Sequence, residues 1–306
     1  MSSDLEIRFW GVRGSMPVCS PEVVSYGGCT PCVQVIADNG THIVLDGGTG
    51  IQALGREYLK NGMPGHCAVF ITHAHWDHIQ GLPFFSPAYV PGYRLSFYGC
   101  DQGTFLFKDV LREQMRSPFF PVDLESWQAD ITIQSIAETS IEFGGISVTS
   151  FFAEHPGMTL GFKLSYKGKT IVYLPDNEPF AHFDPVKVFS QRNIDTANAD
   201  IESICLLDQK KYFFDFIRSA DVLIHDAQYT PEEYPSKAGW GHCSFTTAVK
   251  SAIYGQVKHL VLFHHDPQRT DTQIGEHLQS CAAMVRATDA GLVVSAASQT
   301  APPLYL

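Results

Sequence analysis

The chain has 306 residues, 44% hydrophobic and 17% charged, which allows a sizeable buried core, and no apolar run approaches the roughly 18 residues of a membrane span. Thirty-two acidic against 21 basic residues leave a formal charge of -11, and no basic run exceeds Lys210-Lys211. Binding a phosphate backbone needs clustered positive charge, so a long nucleic acid is disfavoured as a substrate.

Eight scattered cysteines do not make a dense disulfide scaffold, and Cys29-Thr30-Pro31-Cys32 lacks the second half of a zinc ribbon. Met1 to Glu6 shows no basic region followed by an apolar stretch, so the expected compartment is the cytoplasm. Strand patterns open the chain at Leu5 to Trp10, Val33 to Ala37 and His42 to Leu45, the last running into Asp46-Gly47-Gly48-Thr49-Gly50; a helix is expected over Ile51 to Lys60. Cys67 to Thr72 is an apolar strand that ends in a histidine-rich run. The aromatic, proline-rich stretch from Pro83 to Pro121 holds a helical candidate at Phe105 to Met115.

Ile131 to Ile136, Ile146 to Phe152, Leu160 to Tyr166 and Thr170 to Leu174 read as a β-meander broken by glycine-containing turns. Residues 183–219, helix-like from Ile201 to Ile217, read as an insertion whose apolar content suits a lid or a homodimer contact. Beyond it come a strand (Val222 to His225), a helix (Phe245 to Tyr254), a strand (His259 to Phe263) and a helix (Gln273 to Ala287). No repeat or low-complexity linker divides the halves, which predicts one domain over 1–306, an α/β sandwich with strands from both halves packed between helices.

The chemistry concentrates in His73-Ala74-His75-Trp76-Asp77-His78, four ligand-type side chains within six residues at a strand end. Alternate residues of extended chain share a side, so His73 and His75 can face one metal ion while the turn after Trp76 presents Asp77 and His78 to another. Imidazole and carboxylate donors suit zinc, manganese or iron better than calcium or magnesium, and two ions need further ligands. His155, Asp176 and His264 each close an apolar strand and are the candidates. His265 neighbours His264 but faces the other way on an extended chain, which favours His264.

With these residues in view, the chain resembles the metallo-β-lactamase fold superfamily, in its ribonuclease Z and cyclic phosphodiesterase-like branch, across nearly its whole length. The likeness runs through Phe9-Trp10-Gly11-Val12-Arg13-Gly14-Ser15, Asp46-Gly47-Gly48-Thr49-Gly50, the histidine run and the three strand-end residues. It implies a four-layer αββα sandwich, with His73, His75 and His155 on one metal, Asp77, His78 and His264 on the other, and Asp176 bridging. Ile224-His225-Asp226-Ala227 and Gly241-His242-Cys243-Ser244 resemble two further segments of the branch, with Asp226 in place of its glutamate. They imply a carboxylate that orients His242 toward a leaving group or a phosphate oxygen, where a positioned proton donor contributes ~10² to 10⁴ in rate.

Two ions roughly 3.5 to 4 Å apart would lower the pKa of a bridging water and clamp the phosphate oxygens for in-line hydroxide attack. The extended basic arm of the transfer-RNA-processing ribonuclease Z enzymes has no counterpart here, and the charge is -11, so the expected substrate is a small phosphodiester such as a cyclic nucleotide or cyclic phosphate. The aromatics at 84–89 and 118–121 are candidates for stacking a base. Rival readings are hydrolysis of an ester, lactone or thioester, ribonuclease Z-type processing of transfer RNA, and a non-catalytic nucleotide sensor; a sensor would show gaps in the ligand set, and none is missing.

Overall fold

The period-two apolar pattern resolves into two seven-stranded sheets in the computed structural model, which describes residues 3–179, 208–288 and 290–306. The first sheet contains β1 (Leu5–Gly11), β2 (Cys32–Ala37), β3 (His42–Leu45), β4 (His66–Phe70), β5 (Arg94–Gly99) and β6 (Asp130–Ser135), in that order, with β14 (Leu304–Tyr305) outside β1. The second runs β7 (Ser140–Phe143), β8 (Ile146–Phe152), β9 (Leu160–Tyr166), β10 (Lys169–Leu174), β11 (Val222–Asp226), β12 (His259–Phe263) and β13 (Val293–Ala296).

Alternation along the strands places the layers. In β10, Ile171 and Tyr173 join the core between the sheets, with Phe70, Phe162 and Phe263. Val172 and Leu174 turn instead toward the second sheet's helices, α4 (Asp208–Ile217), α5 (Phe245–Tyr254) and α6 (Asp271–Arg286). The first sheet's outer face packs Val44, Val69 and Phe97 against α1 (Ile51–Asn61) and α3 (Phe107–Glu113). Strands buried on both faces read as nearly continuous apolar runs, as parallel strands between helices must. Burying each large side chain contributes about 1.5–3 kcal/mol. The result is the expected αββα sandwich.

The meander is corrected at one strand. Residues 131–135 belong to the first sheet, where β6 pairs in parallel with β5. The strand that starts the meander is β7, antiparallel to β8. Both β6 and β7 are edge strands with half-exposed or exposed side chains, so neither carries a strong apolar pattern. β5 lies inside the aromatic, proline-rich stretch, where only a helix was expected. α6 begins at Asp271 rather than Gln273, because Thr270 caps it and Gln273 returns the bond, a capping box. The insertion expected at 183–219 falls largely on 180–207, outside the described residues; α4 accounts for its described end. No helix among the described residues is long and apolar enough to cross a membrane.

β3 and β4 pair in parallel in one sheet, and β10, β11 and β12 do so in the other. The residues that follow their carboxyl ends, Asp46, the 73–78 run, Asp176, Asp226 and His264, therefore gather at one edge of the sandwich, where ligands bind in open α/β sheets.

Candidate metal centre

The loop after β4 is fixed first by Asp46, which is fully buried. Its carboxylate accepts from the Thr72 amide at 2.8 Å, the Thr72 hydroxyl at 3.0 Å, His78 Nδ1 at 2.8 Å and the Tyr173 hydroxyl at 2.9 Å. Asp46→Ala leaves all these donors without their acceptor, so the metal-free protein is expected to lose about 3–5 kcal/mol of stability by denaturant titration, and Asp46→Asn less. A loss under about 1 kcal/mol would show that the carboxylate does not brace the loop.

From Thr72 the chain has no regular structure up to His75, whose backbone (φ -63, ψ 146) leads into the short helix α2 (Trp76–Ile79), which buries Asp77 and His78. The structure brings the candidate residues into two groups. Donor atoms of His73, His75, His155 and Asp176 lie within 4.8 Å of one another, as do those of Asp77, His78 and His264. Asp176 faces both: Oδ2 is 3.6 Å from Nε2 of His73 and of His155, and Oδ1 is 3.1 Å from Nε2 of His78 and 3.3 Å from that of His264.

Proton bookkeeping tests whether cations fit. The Thr72 hydroxyl donates to Asp46, so it accepts from His73 Nδ1–H at 3.0 Å. His155 Nδ1–H donates to the Gly241 carbonyl at 2.8 Å, His78 Nδ1–H to Asp46, and His264 Nδ1–H to Gln228 Oε1 at 2.9 Å. In its neutral form each of these rings turns a bare Nε2 lone pair inward, the arrangement outer partners impose on metal-binding histidines. Bare Nε2 atoms of His73 and His155 sit 2.8 and 3.0 Å from His75 Nδ1, a convergence a cation satisfies. His78 Nε2 and Asp176 Oδ1 are buried without a hydrogen-bond partner, although 3.1 Å apart. The residues fit divalent ions.

Burial lowers the pKa values of His73, His75 and His155, favouring neutral imidazoles, whereas at His78 burial is outweighed by Asp176, Asp77 and Asp46, which raise it well above the ordinary value and so call for positive charge at that place. Burial opposes ionisation of Asp77 and Asp176, yet the surrounding histidines hold both well below the usual carboxylate range. Around Asp77, the Ser15 amide donates to Oδ2 at 2.7 Å.

His242 stands beside both groups. Its Nδ1 is 2.6 Å from Asp226 Oδ2 and 3.9 Å from Asp176 Oδ2, and its ring stacks on His264 at 4.8 Å. Donor atoms of Asp176, Asp226, His242 and His264 form a third group within 4.8 Å. Burial would lower His242, but Asp226 outweighs it and raises the pKa to about 9. Ser244, not His242, caps α5. His265 points away, bonded to the Ala297 carbonyl, and burial pushes it down to about 3. His225 is tied to Asn177 and its own strand. Of the aromatics at 84–89 and 118–121, Phe85 is core and Phe84 packs edge-on against Phe120.

Sequence reading missed Ser15, Thr72, Gln228 and the Gly241 carbonyl, none of which has ligand-type chemistry. Gly14 was a usable signal: a Cβ there would lie 2.3 Å from His264 Nδ1. Two cavities flank the centre. One, about 460 Å³, includes Ser15, Gln228, Lys237, Trp240 and Arg269 in its wall. The other, about 330 Å³, is bordered by His155, Glu154 and Glu178.

Comparison with known proteins agrees with this architecture. The ribonuclease Z of Thermoplasma acidophilum is 22% identical over 298 residues, spanning 90% of each chain. The metallo-beta-lactamase fold protein YhfI from Bacillus subtilis superposes with a TM-score of 0.64 at 16% identity, covering 96% of this chain and 97% of its own. A diphosphatase from the PhnP family superposes at 0.60 with 17% identity, covering 99% and 98%. The beta-lactamase superfamily domain matches residues 41–202, a span holding the 73–78 run, His155 and Asp176. With that match across more than half its length, the chain belongs to the beta-lactamase superfamily.

Proposed function

We propose that this metal-dependent hydrolase is a phosphodiesterase for a small phosphodiester, a cyclic nucleotide or cyclic phosphate, working with two divalent ions, zinc or manganese. His73, His75 and His155 would hold one ion, Asp77, His78 and His264 the other, and Asp176 would offer one oxygen to each. When bound, such ions lower the pKa of water and neutralise phosphoryl charge.

The chain's own residues do the rest. Gln228, Gly241 and Asp46 hold the histidine rings so that Nε2 faces inward. The Ser15 amide fixes Asp77. Asp226 accepts from His242 Nδ1–H, which orients the ring and stabilises its charged form, leaving Nε2–H to donate to the departing oxygen.

The His242–Asp226 pair carries the reading. Expelling an alkoxide, from phosphorus or from an ester or lactone, calls for a proton donor held charged through neutral pH, whereas a thioester's thiolate leaves unaided. Likeness to a ribonuclease Z and to a diphosphatase supports reaction at phosphorus. A charge of -11 favours a small substrate, while the ribonuclease Z relative makes transfer-RNA processing the second reading. A panel of cyclic mononucleotides, cyclic dinucleotides, precursor transfer RNA, lactones and thioesters, assayed on protein of measured metal content, decides. The highest kcat/KM is expected on a small diester. Lactone or thioester cleavage without diester turnover would overturn the reading, and preference for precursor transfer RNA would replace it with the second.

A further inference from the structure

Glu178 lies two residues beyond Asp176 and is 1% exposed, yet it enters no ion pair among the described residues. A buried carboxylate without a counter-charge is costly unless donors surround it. All its side-chain bonds run to one segment: the Tyr234 hydroxyl at 2.7 Å, the Gly239 amide at 2.8 Å and the Gly241 amide at 2.7 Å. Gly239 (φ +86) and Gly241 (φ +89) adopt the left-handed conformation that turns both amides toward it.

That segment is the partition between the two cavities. Lys237 and Trp240 border the larger one, and Gly239 and Gly241 the smaller. It also reaches the chemistry at two points. The Gly241 carbonyl takes the Nδ1–H of His155, and the next residue is His242. The approach is close, because a Cβ on Gly241 would sit 2.1 Å from His155 Nδ1.

We propose that Glu178 is the positioning residue of the proton donor: by gripping the 234–241 loop from the turn that bears Asp176, it sets His242 relative to the metal centre. The proposal rests on the proton-donor role assigned to His242 above. Glu178 touches no reacting atom and acts through the loop alone. A purely structural role predicts something else, an equal loss on all substrates.

The test compares Glu178→Ala and the milder Glu178→Gln with the parent, as metal-loaded proteins, on diesters with good and poor leaving groups. Metal content is expected to stay at the parent level. kcat on the poor leaving group should fall ~10- to 100-fold for Glu178→Ala, the range found when a supporting hydrogen-bond partner is removed, with a smaller loss for Glu178→Gln. Combined with His242→Ala, Glu178→Ala should add little further loss on the poor leaving group, since both remove one function.

Nitrogen-15 NMR of the histidine rings gives a readout independent of turnover: the His242 Nδ1–H signal should move in Glu178→Gln. Equal losses on good and poor leaving groups, full additivity with His242→Ala, or an unmoved His242 signal would each overturn the proposal. Absence of diester turnover in the parent, with the NMR change intact, would instead overturn the phosphodiesterase reading and leave the positioning role standing.

Discussion

His242→Ala is expected to keep its metal and lose about 10² to 10⁴ in kcat/KM on a dialkyl phosphodiester, while bis(4-nitrophenyl) phosphate loses less than about tenfold. The two substrates differ in the leaving oxygen. Nitrophenolate departs without a proton, whereas an alkoxide needs one as the bond to phosphorus breaks. Asp226→Asn should reproduce the pattern with a change in pH dependence. The acid form of His242 is the working form, and Asp226 holds its pKa at about 9 against burial, which pulls the other way. Removing that charge leaves only Asp176 and Asp77 to oppose burial, so the alkaline fall in activity on the poor leaving group should move to lower pH. Steady-state rates across pH on both substrates measure this. Full activity of His242→Ala on the dialkyl ester would remove the proton donor from the mechanism.

The larger loss is expected at Asp176. Its two oxygens face different clusters, with Oδ2 toward His73 and His155 and Oδ1 toward His78 and His264. Asp176→Asn is nearly isosteric but puts an NH₂ group where one oxygen was. That donor meets bare imidazole nitrogens and hydrogen-bonds to them, filling the space a cation would use. Metal per chain, read by elemental analysis, should fall. Turnover should drop ~10³-fold or more, since each ion stabilises the transition state by several kcal/mol and about 1.4 kcal/mol is a factor of ten. Chelation of the parent should abolish activity, with recovery on adding zinc or manganese. An Asp176→Asn protein that keeps its metal and its rate would rule out the bridging role.

The candidate site's cluster of ligand-type residues was legible in the sequence because those residues follow apolar strands. A parallel strand buried on both faces is a short run of Val, Ile, Leu and Phe, and a polar residue at its carboxyl end stands out, as His264 does after Leu260 to Phe263. The choice of His264 over His265 rested on the strand reaching His264 first and on alternation; in the structure the two rings part, His264 toward Asp77 and His265 to the Ala297 carbonyl, with His264 in the left-handed region (φ 58) and not in extended chain. Weak patterns misled where burial is partial. β6 and β7 are half-exposed edges, and β5 hides in the aromatic, proline-rich stretch where only a helix was expected. The partners that orient the ligand rings were illegible for another reason: a backbone carbonyl at Gly241 and an amide at Ser15 have no side-chain signature, and only the fold brings them there.

One peptide unit, the Gly241–His242 link, fastens to His155 by its carbonyl and carries the imidazole that Asp226 holds. The link keeps the proton donor close to a metal-binding ring, with the His155 and His242 ring centroids 5.1 Å apart. Such spacing selects by the shape of the leaving group: a diester whose bulky leaving group keeps the oxygen on phosphorus out of reach of His242 meets the metal centre but not the acid. Such an ester would bind and turn over poorly, acting as a competitive inhibitor.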